Sequence, residues 1–118
     1  MNEFKTIRDK ARKFAADREW DQYHSPKNLS MALSGEVAEL LEIFQWLTED
    51  QSRNLSPEQQ KEAAHEIADV QIYLIRLADK LGVDINQAVE EKMAINETRY
   101  PADKVKGSAR KYTAYIAE

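Results

Sequence analysis

Apolar residues recur at helical spacing through most of the chain, and short polar breaks divide them into separate stretches. The pattern predicts four main helices, over residues 3–20, 26–48, 57–81 and 85–98. The two middle stretches each begin with serine followed by proline, the pair expected at a helix N-cap and its first turn. The sequence therefore predicts an all-α bundle.

The segments between these stretches are polar. Residues 21–27 are predicted to form a connection, and residues 49–55 a loop. Ser56 and Gln59 fit a capping box at the start of the third helix, and Gly82 fits its C-terminal stop.

The C-terminal segment is polar and poor in large aliphatic residues. The fourth helix must end before Pro101, because the residue preceding a proline is disfavoured in the helical conformation. Residues 102–118 are predicted to be an extended tail of a single domain that covers residues 1–118.

The second and third predicted helices carry apolar residues on more than one face. In the third helix these residues are Ile67, Ala68, Val70, Ile72, Tyr73, Leu74, Ile75, Leu77 and Ala78. A helix that is apolar all round needs cover on several sides, and a small domain has few elements to supply it. The pattern therefore predicts self-association into a dimer or tetramer.

Composition narrows the chemistry that this chain can perform. The 118 residues include 3 glycines, 3 prolines and no cysteine, which favours helices and excludes disulfides, zinc–thiolate sites and thiol nucleophiles. A net charge of −4 argues against broad binding to nucleic acid, which needs a basic surface. No apolar run approaches the roughly 20 residues of a membrane span, and the charged N-terminus lacks the apolar core of a secretory signal. The expected location is the cytoplasm, without nucleic-acid or membrane partners.

Two acidic pairs stand inside the apolar stretches. Glu36 and Glu39 lie in SGEVAELLEIFQW, and Glu66 and Asp69 lie in HEIADVQIYL. The i, i+3 spacing places both members of a pair on the same side of a helix. Carboxylates are rarely buried unless they are paired or hold a metal, and four of them together would repel one another. A hard divalent cation is the simplest way to neutralise them.

Such a site suits Mg²⁺, with Mn²⁺ as a substitute, because both ions prefer oxygen ligands. A bound ion can activate a water molecule and neutralise a phosphate oxygen, the two needs of phosphoanhydride hydrolysis. The sequence offers no Ser–His–Asp set and no glycine-rich phosphate loop. If the chain is an enzyme, a cation-activated water is the best remaining nucleophile.

The pattern alone leaves other interpretations open. A di-iron bundle would need Glu-x-x-His, but the third residue after Glu66 is Asp69. Acidic i, i+3 pairs also occur on solvated helix faces that hold no metal. By pattern, Trp20, Trp46 and Tyr73 fit core or interface residues, and His24 fits a hydrogen-bonded loop residue.

The arrangement of GEVAEL, a spacer and HEIADVQIYL resembles the MazG-like nucleoside triphosphate pyrophosphohydrolases, whose hallmark is ExxE, a spacer and ExxD. The resemblance is closest to the dCTP pyrophosphatase branch. It extends to FAADREWDQYHSPKNL before the motif, FQW after it and KMAINETRYPADKVKGSARKYT near the end, and so covers residues 14–113.

This resemblance implies a MazG-like helical bundle assembled as a dimer of dimers. It implies Mg²⁺-dependent cleavage between the α and β phosphates, which yields a nucleoside monophosphate and pyrophosphate. The implied metal ligands are Glu36, Glu39, Glu66 and Asp69. We expect Glu39 or Glu36 to orient the attacking water. The implied nucleotide-binding residues are Trp20, His24, Trp46, Tyr73, Lys92, Asn96 and Tyr100.

The expected function is therefore house-cleaning hydrolysis of dNTPs, with dCTP or a modified cytosine nucleotide favoured. Two alternatives remain. One is a non-catalytic helical module for oligomerisation or interaction, and the other is a dUTP or phosphoribosyl-ATP pyrophosphohydrolase of the same superfamily.

Overall fold

The computed structural model of this protein describes residues 2–110 and 112–115. The all-α prediction is confirmed, since these residues contain helices and no strand. The α-helices are α1 (Glu3–Asp17), α2 (Pro26–Phe44), α3 (Glu49–Arg53), α4 (Pro57–Leu81), α5 (Ile85–Arg99) and α6 (Ala102–Val105), with 3₁₀ turns at Asp21–Tyr23 and Tyr112–Tyr115. The short helices α3 and α6 are additions to the four predicted ones. None of the described helices has the length and apolarity needed to cross a membrane.

The chain divides into two compact units, Met1–Val83 and Asp84–Glu118. Within the first unit, α4 packs against both α1 and α2. The residues buried where these helices meet are Ala15 on α1, Leu29 on α2 and Ala63, Ile75 and Ala78 on α4. Three of the five are alanines, whose small side chains let the helix backbones approach closely.

The predicted helix starts at Pro26 and Pro57 are confirmed. The Ser25 hydroxyl accepts a hydrogen bond from the Asn28 backbone N–H. Ser56 and Gln59 form the predicted capping box, which satisfies two backbone donors that the first turn leaves free. Gly82 ends α4 with φ of 66°, a left-handed conformation that glycine adopts without steric cost.

The prediction that residues 49–55 form a loop is wrong, because α3 occupies Glu49–Arg53. Thr48 and Gln51 form a second capping box at its start. This box also explains why α2 ends at Phe44 instead of reaching Thr48. An N-cap residue takes an extended backbone, and Thr48 has ψ of 166°.

Helix α1 ends earlier than predicted, at Asp17, in a Schellman motif. The backbone N–H of Trp20 donates to the carbonyl of Ala15, and that of Glu19 donates to the carbonyl of Ala16. The position that favours glycine is occupied here by Glu19, whose φ is 56°. The reversal brings the Trp20 and Phe14 rings into a T-shaped contact, with centroids 5.7 Å apart and an angle of 68° between their planes.

The second unit contains α5, capped by Asp84 as predicted, and α6. The predicted extended tail over residues 102–118 is interrupted by helical turns at Ala102–Val105 and Tyr112–Tyr115. Residues 111 and 116–118 of that tail lie outside the described residues. The single-domain organisation stays a prediction.

Candidate metal centre and the adjoining cavity

Three of the four predicted metal ligands converge between α2 and α4. Glu36 and Glu39 come from α2 and Glu66 from α4, and one carboxylate oxygen of each lies within 4.8 Å of the other two. The i, i+3 spacing turns both α2 carboxylates toward the helix on which Glu66 stands. We call these three residues the carboxylate cluster.

The cluster is partly removed from solvent, and this changes its acidity. Burial, followed by the neighbouring Glu39 carboxylate and the charges of Asp69 and Glu66, raises the pKa of Glu36 from 4.5 to about 7. Burial and the Glu39 carboxylate also raise the pKa of Glu66. Without a cation, the cluster therefore retains protons at pH values where isolated carboxyls have lost them.

Two oxygen atoms of the cluster have no hydrogen-bond partner among the described residues. They are Oε2 of Glu36 and Oε2 of Glu66, and both are buried. A buried carboxylate oxygen without a donor is costly. Three convergent carboxylates with two such atoms fit the oxygen donor set of a hard divalent cation.

Asp69, the fourth predicted ligand, is not a member of the carboxylate cluster. Its charge nevertheless contributes to the raised pKa of both Glu36 and Glu66. Asp69 also lines a neighbouring cavity, so one residue both borders that cavity and acts electrostatically on the cluster.

The cavity, of about 540 Å³, lies between α1, α4 and the chain that joins α1 to α2. Its wall is largely apolar and includes Ile7, Phe14, Ala15, Ala68 and Ile72. Three of the predicted nucleotide-binding residues, Trp20, His24 and Tyr73, also line it. A cavity of this size with aromatic walls suits a flat ring such as a nucleobase.

Trp46 is not among the residues that line this cavity. It follows the end of α2 and its side chain is 87% exposed, compared with 45% for Trp20. The structure thus separates two tryptophans to which the sequence had given the same role.

Lys92, Asn96 and Tyr100 belong to the second unit. Lys92 and Asn96 lie four residues apart on α5, but Tyr100 lies beyond the helix, because α5 ends at Arg99 and Tyr100 has φ of −128°. Pro101 explains this end, since it disfavours the helical conformation at the residue before it.

Arg76 was missed by the sequence interpretation. Its guanidinium is buried on α4, lines the cavity, and donates from Nε to Nδ1 of His24 at 3.2 Å. It also pairs with Asp21, which Lys80 contacts at 2.6 Å. The available signal was a single basic residue between Ile75 and Leu77 in the apolar run of α4.

The chain is similar to known proteins over most of its length. A model of the MazG-like family matches residues 31–114. The dCTP pyrophosphatase 1 of Homo sapiens is 48% identical over 102 residues, which are 85% of this chain and 60% of that protein. The Mus musculus protein of the same name shows the same identity and coverage. The chain thus spans about 60% of the length of the curated relatives that it matches.

A solved structure is similar along most of its length. The crystal structure of a pyrophosphatase from Archaeoglobus fulgidus superposes with a TM-score of 0.80 at 42% sequence identity. The match covers 86% of this chain and 94% of the archaeal one.

Proposed function

The chain belongs to the MazG-like family, and from that premise we propose that it is a Mg²⁺-dependent nucleoside triphosphate pyrophosphohydrolase. It converts dNTPs, with dCTP or a modified dCTP favoured, into the nucleoside monophosphate and pyrophosphate. The preference for cytosine rests on the names of the mammalian relatives, the dCTP pyrophosphatases. The biological role is the removal of unwanted nucleotides from the dNTP pool.

The main support for this proposal is that a cluster of partly buried carboxylates lies near a cavity with aromatic walls. The carboxylate cluster holds two buried oxygens without a hydrogen-bond partner among the described residues. Asp69, which interacts electrostatically with that cluster, also lines the cavity with aromatic walls. A nucleobase in the cavity would place its triphosphate toward the cluster.

The proposed metal ligands are Glu36, Glu39, Glu66 and Asp69. Mg²⁺, with Mn²⁺ as a substitute, supplies positive charge against the phosphate oxygens and acidifies water when it is bound. Glu39 is the exposed member of the cluster, which suits it to accept a proton from water, with Glu36 as the alternative. The water oxygen forms a bond to the α-phosphorus, the bond from that phosphorus to the bridging oxygen breaks, and pyrophosphate leaves with the electron pair.

The remaining proposed contacts concern the nucleotide. Trp20 and Tyr73 offer aromatic faces to the base, and His24 offers a polar group in the same cavity. We assign Trp46 to the base, and Lys92, Asn96 and Tyr100 to the phosphates or sugar. A lysine and an amide are suited to those groups because both donate hydrogen bonds.

We also propose that the chain works as a homo-oligomer, a dimer or a dimer of dimers. Large apolar side chains on α2 and α4 are exposed in the single chain, namely Met31, Val37, Leu41, Ile67, Ile72 and Leu74. Analytical ultracentrifugation tests this, and a monomer at micromolar concentration would contradict it.

The function is tested by measuring pyrophosphate release from each of the four dNTPs with Mg²⁺ and with a chelator. Glu39→Gln and Asp69→Asn should each reduce the rate at least about a hundredfold, by analogy with removing a group that stabilises the transition state. Glu42→Gln is the matched control, because Glu42 is an exposed residue of α2 outside the cluster.

Rates near the wild-type value in both site variants would show that the assignment is wrong. A non-catalytic helical module should bind neither Mg²⁺ nor a non-hydrolysable dNTP in a calorimeter. Parallel assays with dUTP and phosphoribosyl-ATP separate the other pyrophosphohydrolase activities of the superfamily.

A further inference from the structure

Arg76 occupies an unusual position for a charged side chain, with only 6% of it exposed. Burial of an arginine is costly unless its donors are satisfied. Its Nη2 pairs with Asp21, its Nη1 lies 3.6 Å from Asp79, and its Nε faces the ring of His24. The guanidinium thus has a defined partner on each nitrogen.

Two carboxylates fix the orientation of this guanidinium. Asp79 is itself held by Arg12, whose Nε donates to it at 2.7 Å. Asp21 is held by Lys80. The planar fork of an arginine loses little freedom when it is clamped in this way, so the Nε–H is directed at one atom of the histidine.

The contact with Arg76 determines the tautomer of His24. An arginine has only donors and stays charged in proteins. The ring nitrogen that faces it, Nδ1 at 3.2 Å, must therefore be the unprotonated acceptor. In a neutral imidazole the proton then sits on Nε2.

We propose that Arg76 is a positioning residue, which holds His24 as the neutral Nε2–H tautomer so that the cavity presents a hydrogen-bond donor to an acceptor atom of the nucleobase. The nucleobase as ligand rests on the proposed function. Suitable acceptors are a ring carbonyl oxygen or an unprotonated ring nitrogen.

A base acceptor fits this donor better than a phosphate does. Burial, followed by the charge of Arg76, lowers the pKa of His24. The charge of Asp21 raises this pKa, and the charge of Lys80 lowers it further. His24 is consequently uncharged at neutral pH and lacks the positive charge that favours phosphate. It also shares the cavity wall with apolar side chains and the Trp20 ring.

The tautomer is tested directly by proton–nitrogen NMR correlation of the imidazole rings near pH 8. The chain has 2 histidines, so a His65→Gln background leaves only the signals of His24. We expect a protonated Nε2 and an unprotonated Nδ1 in this background, and a mixture of tautomers after Arg76→Lys, which keeps the charge but has no Nε donor. A protonated Nδ1 in the His65→Gln protein, or an unchanged spectrum in the Arg76→Lys variant, would overturn the proposal.

Kinetics test the consequence for the substrate. Arg76→Lys should raise KM for the preferred dNTP about fivefold, the effect of one weakened neutral hydrogen bond, with kcat changed less than about twofold. Arg53→Lys is the matched control, because Arg53 pairs with Glu49 and Asp50 on α3 and does not line the cavity. An equal rise of KM in both variants would show that the effect does not act through His24.

A base analogue separates the outcomes further. A deaza analogue, in which C–H replaces the acceptor nitrogen, and an analogue that lacks the ring carbonyl are compared in wild type and Arg76→Lys. For one of the two analogues, KM should be the same in Arg76→Lys as in wild type. If Arg76→Lys raised KM about fivefold for both analogues, a contact with the base would be contradicted. If wild type releases no pyrophosphate from any dNTP, the proposed function and the base contact fail together, while the NMR spectrum still decides the tautomer.

Discussion

Glu36 on α2 and Glu66 on α4 each bury one carboxylate oxygen that has no hydrogen-bond partner among the described residues, and both belong to a group of carboxylates whose oxygens lie within 4.8 Å of one another. The Glu39 carboxylate and the charge of Asp69 both contribute to the raised pKa of Glu36 and of Glu66. In the metal-free protein this arrangement opposes folding when the carboxyls are ionised.

The stability of the metal-free protein should therefore fall as the pH rises from 4.5 to about 7. The folded pKa of Glu36, about 7, lies above its ordinary value of 4.5. Between these values the folded state binds more protons, and its stability is lost as the pH passes through the folded pKa. Asp21 and Asp79, whose pKa values are lowered from 3.8, contribute the opposite slope only at more acidic pH. His24, whose pKa is lowered from 6.5, contributes the opposite slope within this window, against the raised pKa values of both Glu36 and Glu66. Thermal unfolding in a chelator followed by circular dichroism measures this, and a rise in stability over the same window would contradict it.

Glu36→Gln should stabilise the metal-free protein at pH 8 by about 1 kcal/mol, because it removes one charge from a repelling cluster. The same change should abolish stabilisation by Mg²⁺, which for wild type reaches about 2.7 kcal/mol at 100 times the dissociation constant. Thermal melts over a Mg²⁺ series measure both effects. Glu42→Gln should show neither, and an unaltered Mg²⁺ response in Glu36→Gln would remove Glu36 from the ligand set.

Glu19→Gly should stabilise the protein by about 0.5–1 kcal/mol. A non-glycine residue in the left-handed region costs about 1–2 kcal/mol, and the greater freedom of glycine in the unfolded chain offsets part of that gain. Urea unfolding provides the measurement. Glu19→Ala removes the same charge but keeps the strained φ of 56°, so stabilisation of equal size by both changes would assign the effect to charge.

Trp20→Ala should lower the free energy of unfolding by about 1–2 kcal/mol, because the ring makes a T-shaped contact with Phe14. Trp46→Ala should change it by less than about 0.5 kcal/mol, since its side chain is 87% exposed. Both changes should raise KM if both rings contact the base as proposed. Urea unfolding and steady-state assays separate stability from binding, and an unchanged KM in Trp46→Ala would withdraw that residue from the site.

Helix boundaries were predictable where a cap residue marked them. Ser56, Gln59 and Gly82 fixed both ends of α4, because capping is a short-range interaction between residues a few positions apart. Thr48 and Gln51 have the spacing of a capping box and could have predicted the start of α3, but the polar composition of the segment favoured a loop. The end of α1 had no comparable signal, because the left-handed position is occupied by Glu19 and not by the glycine that usually marks it.

The chain's own residue order determined the helical class and the two acidic pairs, since both depend on spacing along one helix. Tertiary packing alone decided that α2 and α4 bring Glu36, Glu39 and Glu66 together and leave Asp69 beside them. It also decided that Arg76 reaches His24, a residue 52 positions away in the sequence. The physical reason is that local periodicity sets which side of a helix a residue occupies, whereas the partner on that side depends on how separate helices bury their apolar surfaces against one another.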